Sequence, residues 1–436
     1  MAPDQLVTLL VLVAVVAALI WDKVRADVAA LAGAAILLVS GVVRPSEVQG
    51  AFASPALIAL ASLFVIVYAI ELSGLLDRLI LLSVRLGRRL GAFGLWITIA
   101  MCGAASAFLN NTPIVVLAAP VVRDTAEKLK LNPKRFLMPL SYMCILGGCC
   151  TLIGTSTNLL VADMARLSGQ PTFGLFEITP VGLTIAAAGA LYLLLLSGRL
   201  IKPEGGTGPE NITAEIGQRL DVADAQVGAP EVFAPHQQLQ PKRAVLSLLV
   251  FIGVITAAAL NVAPIAATAF AGAILLILLR VISADEAYQG LRPEILLLIA
   301  GMVVLGIALE ESGLAGAASD ALVQVTEPLG PVLALALFYG ATLFLTELLS
   351  NATVAVLFAP VAVALAESLG VSPRPFLVAV MMAASAAFAT PFGYQTNVLV
   401  YQIGKYSYMD FVRVGLPLNL ITWAAGLIAI LMFFPL

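Results

Sequence analysis

Apolar segments about as long as a bilayer crossing follow one another along most of this 436-residue chain. A soluble domain is about half apolar and about a quarter charged, whereas hydrophobic residues here make up 61% and charged residues 11%. No soluble fold could cover so much apolar surface, so lipid is the expected solvent. The sequence predicts an all-α polytopic membrane protein with about ten transmembrane helices, at residues 6–20, 28–43, 56–76, 136–165, 176–200, 244–260, 265–282, 295–310, 376–402 and 414–434.

Two further apolar stretches are interrupted by polar residues near their middle. Residues 92–122 are broken by Asn110-Asn111-Thr112-Pro113, and residues 330–365 are broken by Glu347 and Ser350-Asn351. Each stretch predicts two short helices that meet at a polar tip inside the membrane, which is a re-entrant hairpin. A broken helix at membrane depth is tolerated where it is buried in protein or lines a cavity. Both tips are therefore candidate sites.

The two halves of the chain resemble each other. A polar, Pro- and Gly-rich segment at 201–243 separates residues 1–200 from residues 244–436. Motifs recur 239 or 240 residues apart, in the same order: Asn111 and Asn351, Pro120 and Pro360, Pro133 and Pro373, Gly154 and Gly393, Thr157-Asn158 and Thr396-Asn397, Glu71 and Glu310. Each half holds five spans and one hairpin. Because five is odd, the second repeat is predicted to enter the membrane inverted.

The positions of the positive charges set the expected orientation. With the N-terminus outside, all 23 Lys and Arg residues except Arg44, Arg166 and Arg374 fall on the cytoplasmic side. This arrangement predicts a multi-pass protein of the bacterial inner membrane with a cytoplasmic linker at 201–243. Hairpin 92–122 then faces the cytoplasm, and hairpin 330–365 faces the outside.

Four polar breaks carry the candidate chemistry. Two are the hairpin tips, and two interrupt the spans 136–165 and 376–402. A pseudo-two-fold axis in the membrane plane would bring all four together. Helix N-termini offer unpaired N–H groups to an anion, while carbonyls, amides and hydroxyls suit a small hard cation such as sodium. The candidate substrate- and ion-binding residues are Asn110, Asn111, Thr112, Gly154, Thr155, Ser156, Thr157, Asn158, Ser350, Asn351, Thr353, Thr390, Pro391, Gly393, Thr396 and Asn397. Small polar residues also join membrane helices, which is the structural alternative.

The acidic residues allow several roles. Glu347 lies three residues before the second tip, and the matching residue of the first repeat is Ala107. An intramembrane carboxylate is a functional candidate by default. It could bind a cation, relay a proton, or anchor the tip by hydrogen bonds. Glu71, Glu310 and Asp163 fall near span ends, where a solvated or interfacial position is expected.

The motifs around the breaks resemble the divalent anion:sodium symporter family and its relatives in the ion transporter superfamily. They are Asn110-Asn111-Thr112-Pro113, the segment 154–159, the segment 348–352 and the segment 389–397. The resemblance covers nearly the whole chain outside the linker and is closest to the sulfate or general anion permeases. It implies a homodimer in which a mobile transport domain moves against a scaffold. It also implies Na⁺ at Asn111, Thr112, Ser350 and Asn351, with substrate between the tips and the interrupted spans.

This chain departs from the family pattern at two tip positions and in the linker. Asn110 replaces Ser in the first tip, and Ala352 replaces Thr in the second. The linker is too short for the TrkA-C-type regulatory domains of many relatives. The expected function is Na⁺-coupled import of a small divalent anion, sulfate first and dicarboxylates next, with no cofactor beyond Na⁺.

Three alternatives remain beside this expectation. Arsenite or antimonite efflux and Na⁺/H⁺ antiport share the superfamily architecture, and a passive anion channel is a different class. An enzyme is not expected, because the single histidine, His236, lies in the linker and no nucleophile–base pair is evident. No nucleic-acid partner is expected either.

Overall fold

The computed structural model describes residues 2–21, 24–76, 78–80, 82, 90–201, 239–260, 262–319 and 330–436. Among these residues the regular structure is helical and no strand occurs, so the all-α prediction is confirmed. Most of the predicted linker, including His236, lies outside the described residues.

The first half contains nine helices with both ends among the described residues, and further helical residues at 75–76, 78–80, 82 and 90. They are α1 (Pro3–Trp21), α2 (Ala26–Val39), α3 (Pro45–Phe52), α4 (Pro55–Leu72), α5 (Ala92–Ser106), α6 (Asn111–Lys128), α7 (Lys134–Gly148), α8 (Ser156–Leu167) and α9 (Thr179–Leu200).

The second half contains nine more with both ends described, and a further helical stretch at 314–319. They are α10 (Pro241–Ala259), α11 (Ile265–Leu278), α12 (Ala284–Gly290), α13 (Pro293–Glu311), α14 (Pro331–Leu345), α15 (Asn351–Ser368), α16 (Pro373–Ser385), α17 (Gln395–Gly404) and α18 (Tyr408–Phe433).

Proline and capping residues explain many of the helix starts. Six helices carry Pro in their first turn after an extended or irregular N-cap: α3, α4, α10, α13, α14 and α16. Proline fits there because its missing N–H would have no helical partner and its φ is already helical. Side-chain caps add to this at Ser54, Ser283 and Ser407, each of which accepts a hydrogen bond from a backbone N–H of the first turn.

The helices of the two halves match in order and in packing. Except for α9 and α18, each helix of the first half has a counterpart that begins 238 to 240 residues later. The contacts between helices also repeat when each helix is replaced by its counterpart. Helix α2 packs on α13 as α11 packs on α4, and α8 packs on α15 as α17 packs on α6. This is the pattern that two repeats related by a two-fold axis would produce.

Six described helical segments are long and apolar enough to cross a membrane by themselves: Pro45–Leu72, Thr179–Leu200, Pro241–Ala259, Pro293–Glu311, Asn351–Ser368 and Tyr408–Phe433. Shorter apolar helices accompany them, so the polytopic class is confirmed. The predicted spans 136–165 and 376–402 each consist of two helices with a break. Helix α15 meets the length criterion although the sequence predicts half of a hairpin there. The number of crossings stays a prediction.

Two helices and one acidic residue differ from the sequence expectations. The short helices α3 and α12 were not predicted, because each has fewer than nine residues and little apolar periodicity. Asp163 is not solvated, since its side chain is only 2% exposed and its Oδ1 accepts a hydrogen bond from Arg166 Nη2 at 3.1 Å. The ion pair offsets the cost of burying the carboxylate.

The helices form two groups by their contacts. The framework group contains α1–α4 and α10–α13, and the site group contains α5–α9 and α14–α18. Within each group the helices pack extensively on one another. Between the groups, the most extensive contacts join α13 to α15, α13 to α8, and α4 to α8. This division places all four polar breaks in one group.

Candidate substrate and ion site

The first polar tip joins α5 to α6. Helix α5 ends at Ser106 and α6 begins at Asn111, with Asn110 as the N-cap. The Asn110 side chain accepts a hydrogen bond from the Thr112 backbone N–H at 3.3 Å. The Ser106 hydroxyl donates to Asn111 Oδ1 across the tip. The polar side chains of Ser106, Asn110 and Asn111 therefore close the break.

The second tip joins α14 to α15 in the same way. Ser350 is the N-cap and accepts a hydrogen bond from the Thr353 backbone N–H at 3.2 Å. Thr346, which corresponds to Ser106, donates from Oγ1 to Asn351 Oδ1 at 2.8 Å. The Ser350 and Thr353 hydroxyls lie 2.6 Å apart. The helix–tip–helix pattern predicted for both hairpins is present, whereas their membrane depth stays a prediction.

The loop between α7 and α8, residues 149–155, is held by a threonine. Thr151 Oγ1 donates to the Ala107 carbonyl of the first tip and accepts from the Gly154 N–H at 3.1 Å. Asn158 Nδ2 donates to the Thr151 carbonyl at 2.9 Å. Thr155 caps α8. The loop is thereby fixed to the tip of its own half.

The loop between α16 and α17, residues 386–394, repeats this arrangement. Gly393 N–H donates to Thr390 Oγ1 at 3.2 Å. Asn397 Nδ2 donates to the Ala387 carbonyl at 2.8 Å and to the Thr390 carbonyl at 3.4 Å. Thr390 Oγ1 in turn donates to the second tip at Glu347 Oε2, at 2.8 Å. Each half therefore uses a Thr, a Gly and an Asn at equivalent positions.

Contacts between the halves join the first tip to the second loop. Asn111 Nδ2 donates to the Tyr394 hydroxyl at 2.9 Å, and Thr112 Oγ1 donates to Gln395 Oε1 at 3.2 Å. Ser141 on α7 donates to Thr396 Oγ1 at 2.8 Å and to Asn397 Oδ1 at 2.7 Å. The polar breaks thus meet in one place in the site group.

Oxygen atoms cluster around two glycines beside the first tip. A Cβ added to Gly148 would lie 3.1 Å from both Asn111 Oδ1 and the Gly154 carbonyl oxygen. A Cβ added to Gly154 would overlap the carbonyl oxygens of Gly148 and Ala107. We call these atoms, with the Ser106 hydroxyl, the first oxygen cluster. Only glycine leaves the room that brings so many oxygens together.

The first oxygen cluster consists of neutral ligands. Unwound carbonyls with amide and hydroxyl oxygens are the donor set that broken transporter helices present to sodium. Among the residues that the structure describes, no group of three His, Cys, Asp or Glu residues could hold a metal ion. Neutral oxygen atoms of this kind are donors that suit hard cations.

The family is decided by a comparison of the whole sequence. A model of the citrate transporter family (CitMHS) matches residues 16–370 and, in a second match, 348–435. The chain belongs to the citrate transporter family. Its fold and family are those of membrane transporters and not of enzymes, so the expectation that it is not an enzyme is confirmed. The resemblance to anion transporters of the ion transporter superfamily is confirmed as well.

Some similar proteins match this chain over nearly their full length, and others match it over a shorter segment. An uncharacterized transporter of Synechocystis, sll0640, is 26% identical over 98% of this chain and 97% of its own. A segment covering 33% of this chain and 17% of sodium/sulfate cotransporter 1 of Chlamydomonas reinhardtii is 35% identical to that protein. In structure, the chain resembles the YdaH transporter of Alcanivorax borkumensis with a TM-score of 0.56, at 16% identity, over 88% of this chain and 86% of that one.

A cleft in this citrate transporter family member leads to the first tip. It lies between α4 and α6. These two helices are the repeat counterparts of α13 and α15, which pack on each other. The cavity of about 110 Å³ is lined by Phe64, Val67, Tyr68, Glu71, Asn110, Pro113, Gln289, Gly290 and Arg292. We call the α13–α15 contact the packed end of the site and the α4–α6 cleft the open end. A larger cavity of about 390 Å³ also lies between the two groups, lined by residues of α4, α8, α10 and α11.

The structure brings together most of the residues that the sequence selects at the four breaks. Pro391 and Gly393 lie in the second loop, while Ser156 begins α8 and Thr157 follows it in the first turn. Whether any of them binds substrate or Na⁺ stays a prediction. Thr151, Tyr394 and Gln395 were missed. Thr151 could have been found from its spacing of 239 residues to Thr390, but no sequence signal showed that Tyr394 reaches Asn111.

Proposed function

We propose that this chain imports a small divalent anion together with sodium, with sulfate as the first candidate substrate and dicarboxylates as the second. The observation that carries the proposal is the first oxygen cluster. Asn111 Oδ1 and the Gly154 carbonyl oxygen lie beside Gly148, and the carbonyl oxygens of Gly148 and Ala107 lie beside Gly154. Sodium bound at these neutral ligands would add positive charge beside an anion site. The equivalent Thr346–Asn351 pair offers a second position for sodium.

Helix ends provide for the anion. Helices α6 and α8 of the first half and α15 and α17 of the second all begin at the polar breaks. Hydrogen bonds from Asn111 to Tyr394 and from Thr112 to Gln395 bring the N-termini of α6 and α17 together, and α8 packs on α15. Free N–H groups and the helix dipole favour a negative group at such ends. An anion can therefore be held without a basic side chain.

The comparisons support sulfate and leave carboxylates as a serious second class. The locally similar Chlamydomonas protein is a sodium/sulfate cotransporter, whereas the family model is described as a citrate transporter. Both substrate classes present multiply charged oxygen anions. Carboxylate competitors therefore belong in the first experiment.

Transport would proceed by movement of the site group against the framework group. In this structure the α13–α15 end is packed and the α4–α6 end is open. The charge distribution of the sequence places the open end in the cytoplasm. We infer on this basis an inward-facing state of an elevator-type cycle between two inverted repeats. A homodimer held through the framework group completes the proposal.

The test is labelled sulfate uptake into proteoliposomes with an inward Na⁺ gradient, an inward H⁺ gradient or none. Unlabelled succinate, citrate and arsenite serve as competitors. We expect saturable uptake driven by Na⁺. Uptake without saturation or gradient dependence would indicate a channel, and uptake driven by H⁺ alone would indicate the antiport relatives. The absence of both sulfate uptake and carboxylate uptake under a Na⁺ gradient would contradict the proposal.

A further inference from the structure

Glu347 has an unusual set of partners at the second tip. Its Oε1 accepts hydrogen bonds from the backbone N–H groups of Phe388 and Ala389 at 2.8 and 2.7 Å and from Asn419 Nδ2 at 2.7 Å. Its Oε2 accepts from the Thr390 N–H at 2.9 Å and the Thr390 hydroxyl at 2.8 Å. One carboxylate therefore joins the tip, the loop 386–394 and α18.

These five donors fill the carboxylate. An ionised carboxylate has about four lone-pair positions on its two oxygens. With three donors on Oε1 and two on Oε2, neither oxygen keeps an open position for a cation. A proton added to Oε1 would face only N–H donors and displace one of them, whereas a proton on Oε2 would require the Thr390 hydroxyl to turn and accept it. The geometry therefore disfavours cation binding by Glu347 and any proton relay that leaves this network in place.

The first half shows what happens without this carboxylate. Ala107 stands at the position of Glu347. Gly182 of α9 lies against Cys149 and Cys150 as Gly415 of α18 lies against Phe388 and Ala389. On this alignment of α9 with α18, Asn419 corresponds to Ala186. The two polar partners of the second half are thus both alanine in the first.

The helix ends differ accordingly. Helix α7 continues to Gly148, and the N–H groups of Cys149 and Cys150 donate to the carbonyls of Ile145 and Gly147. Helix α16 ends at Ser385, which is two residues earlier on the repeat alignment. The N–H groups of Phe388 and Ala389, which correspond to those of Cys149 and Cys150, donate to Glu347 instead. The carboxylate replaces helix carbonyls as the acceptor and lets the second loop unwind further.

We propose that Glu347 is the positioning residue of the second binding loop, a carboxylate acceptor that holds residues 386–394 unwound and locks them to the tip and to α18. Glu347 acts through Thr390 and the loop backbone and does not itself bind the ion or carry a proton. The consequence of this role for transport rests on the proposed function. The lock itself is a property of the fold and can be measured without any substrate.

The first test is hydrogen exchange in lipid nanodiscs. In Glu347→Gln, one carboxylate oxygen becomes an amide NH₂ group. This donor would face the N–H groups that the carboxylate oxygen accepts from. We expect exchange in residues 386–394 to rise at least about fivefold, because each lost hydrogen bond costs about 1 kcal/mol or more. Exchange in the first loop, 149–155, should not change. Glu127→Gln, on the exposed i,i+4 pair with Arg123, is the control. Unchanged exchange in residues 386–394 would overturn the lock.

The second test separates a lock from a proton carrier. We expect Glu347→Gln to raise the KM for Na⁺ or anion about tenfold, as loss of a residue that orients ion ligands does, with the shape of the pH profile unchanged. Asn419→Ala should also raise the KM for Na⁺ or anion. It should add little to the effect of Glu347→Ala in a double variant, because Glu347 accepts the hydrogen bond from the Asn419 amide nitrogen. A displaced or flattened pH profile, or fully additive effects, would overturn the proposal. The exchange result stands even if sulfate is the wrong substrate.

Discussion

Ser168, at the end of α8, donates a hydrogen bond to Glu310 Oε2 near the end of α13 at 3.1 Å. This bond joins the site group to the framework group at their packed end. The residues related to this pair by 239 positions are Ser407 and Glu71. Glu71 lines the cleft at the open end, and Ser407 caps α18. The repeat thus carries the same residue pair at both ends of the site.

Exchange of the two repeats predicts that Ser407 and Glu71 approach each other in the outward-facing state. A Glu71→Cys/Ser407→Cys variant should cross-link under turnover with Na⁺ and anion and much less without them. A Ser168→Cys/Glu310→Cys variant should cross-link in the state seen here. The cross-link should stop uptake, and a reductant should restore uptake. The native cysteines at 102, 144, 149 and 150 are buried and should not interfere.

The control for cross-linking is Arg123→Cys/Glu127→Cys, one turn apart on α6. A bridge there lies within a single helix and should leave uptake intact. Equal cross-linking of the Glu71→Cys/Ser407→Cys variant with and without substrates would contradict the predicted exchange between the packed and open ends.

Asn111 and Asn351 should be needed for sodium dependence. Replacing either with Ala removes an Oδ1 from a tip and leaves Ser106 or Thr346 without that partner. We expect the Na⁺ concentration for half-maximal uptake to rise at least about tenfold, as for loss of an ion ligand or its partner. Asn132→Ala, at an exposed cap after α6, is the matched control. Equal Na⁺ dependence in all three variants would remove the tips from the ion site.

Gly148→Ala should disturb the first oxygen cluster without unfolding the protein. The added methyl would stand 3.1 to 3.2 Å from the Asn111 amide atoms and the Gly154 carbonyl, closer than most Cβ contacts. Sodium affinity should fall by about tenfold or more. Gly253→Ala on α10 meets nothing within 4 Å and should keep activity with equal or higher thermal stability, since Ala favours a helix. Comparable losses in both variants would indicate a general packing effect.

Tyr394→Phe tests the bond between the first tip and the second loop. It removes the hydroxyl that accepts from Asn111 Nδ2 and keeps the ring. Loss of one hydrogen bond of about 1 kcal/mol corresponds to about fivefold weaker sodium or anion affinity. Tyr288→Phe, on an exposed residue of α12, should have no effect. An unchanged affinity in Tyr394→Phe would show that the tip is positioned by other contacts.

The sequence was sufficient to locate the breaks because the residues that break an apolar helix differ chemically from their surroundings. Asn111, Asn351, Gly154 and Gly393 stand out against neighbouring Ala, Leu and Val, and their spacing repeats. The local caps also follow from residue type, as at Ser350. These features depend on neighbours within one turn of the chain.

Tertiary partners could not be read in this way. Glu347 bonds to residues 41 to 72 positions away, and the three backbone donors carry no sequence signature. The sequence left three roles open for this carboxylate, and only the positions of Phe388, Ala389 and Asn419 favour one of them. The packed and open ends of the site likewise depend on which of two equivalent packings the repeats adopt, which their similarity does not decide.

The most direct test of sodium-coupled anion import is the reciprocal flux. Radioactive sodium uptake into proteoliposomes would be measured with and without external sulfate, at fixed membrane potential, for the wild type and Asn111→Ala. We predict that sulfate stimulates sodium entry in the wild type, that sodium stimulates sulfate entry over the same concentration range, and that Asn111→Ala loses both effects. Sulfate entry with no accompanying sodium entry would contradict coupling at the first oxygen cluster.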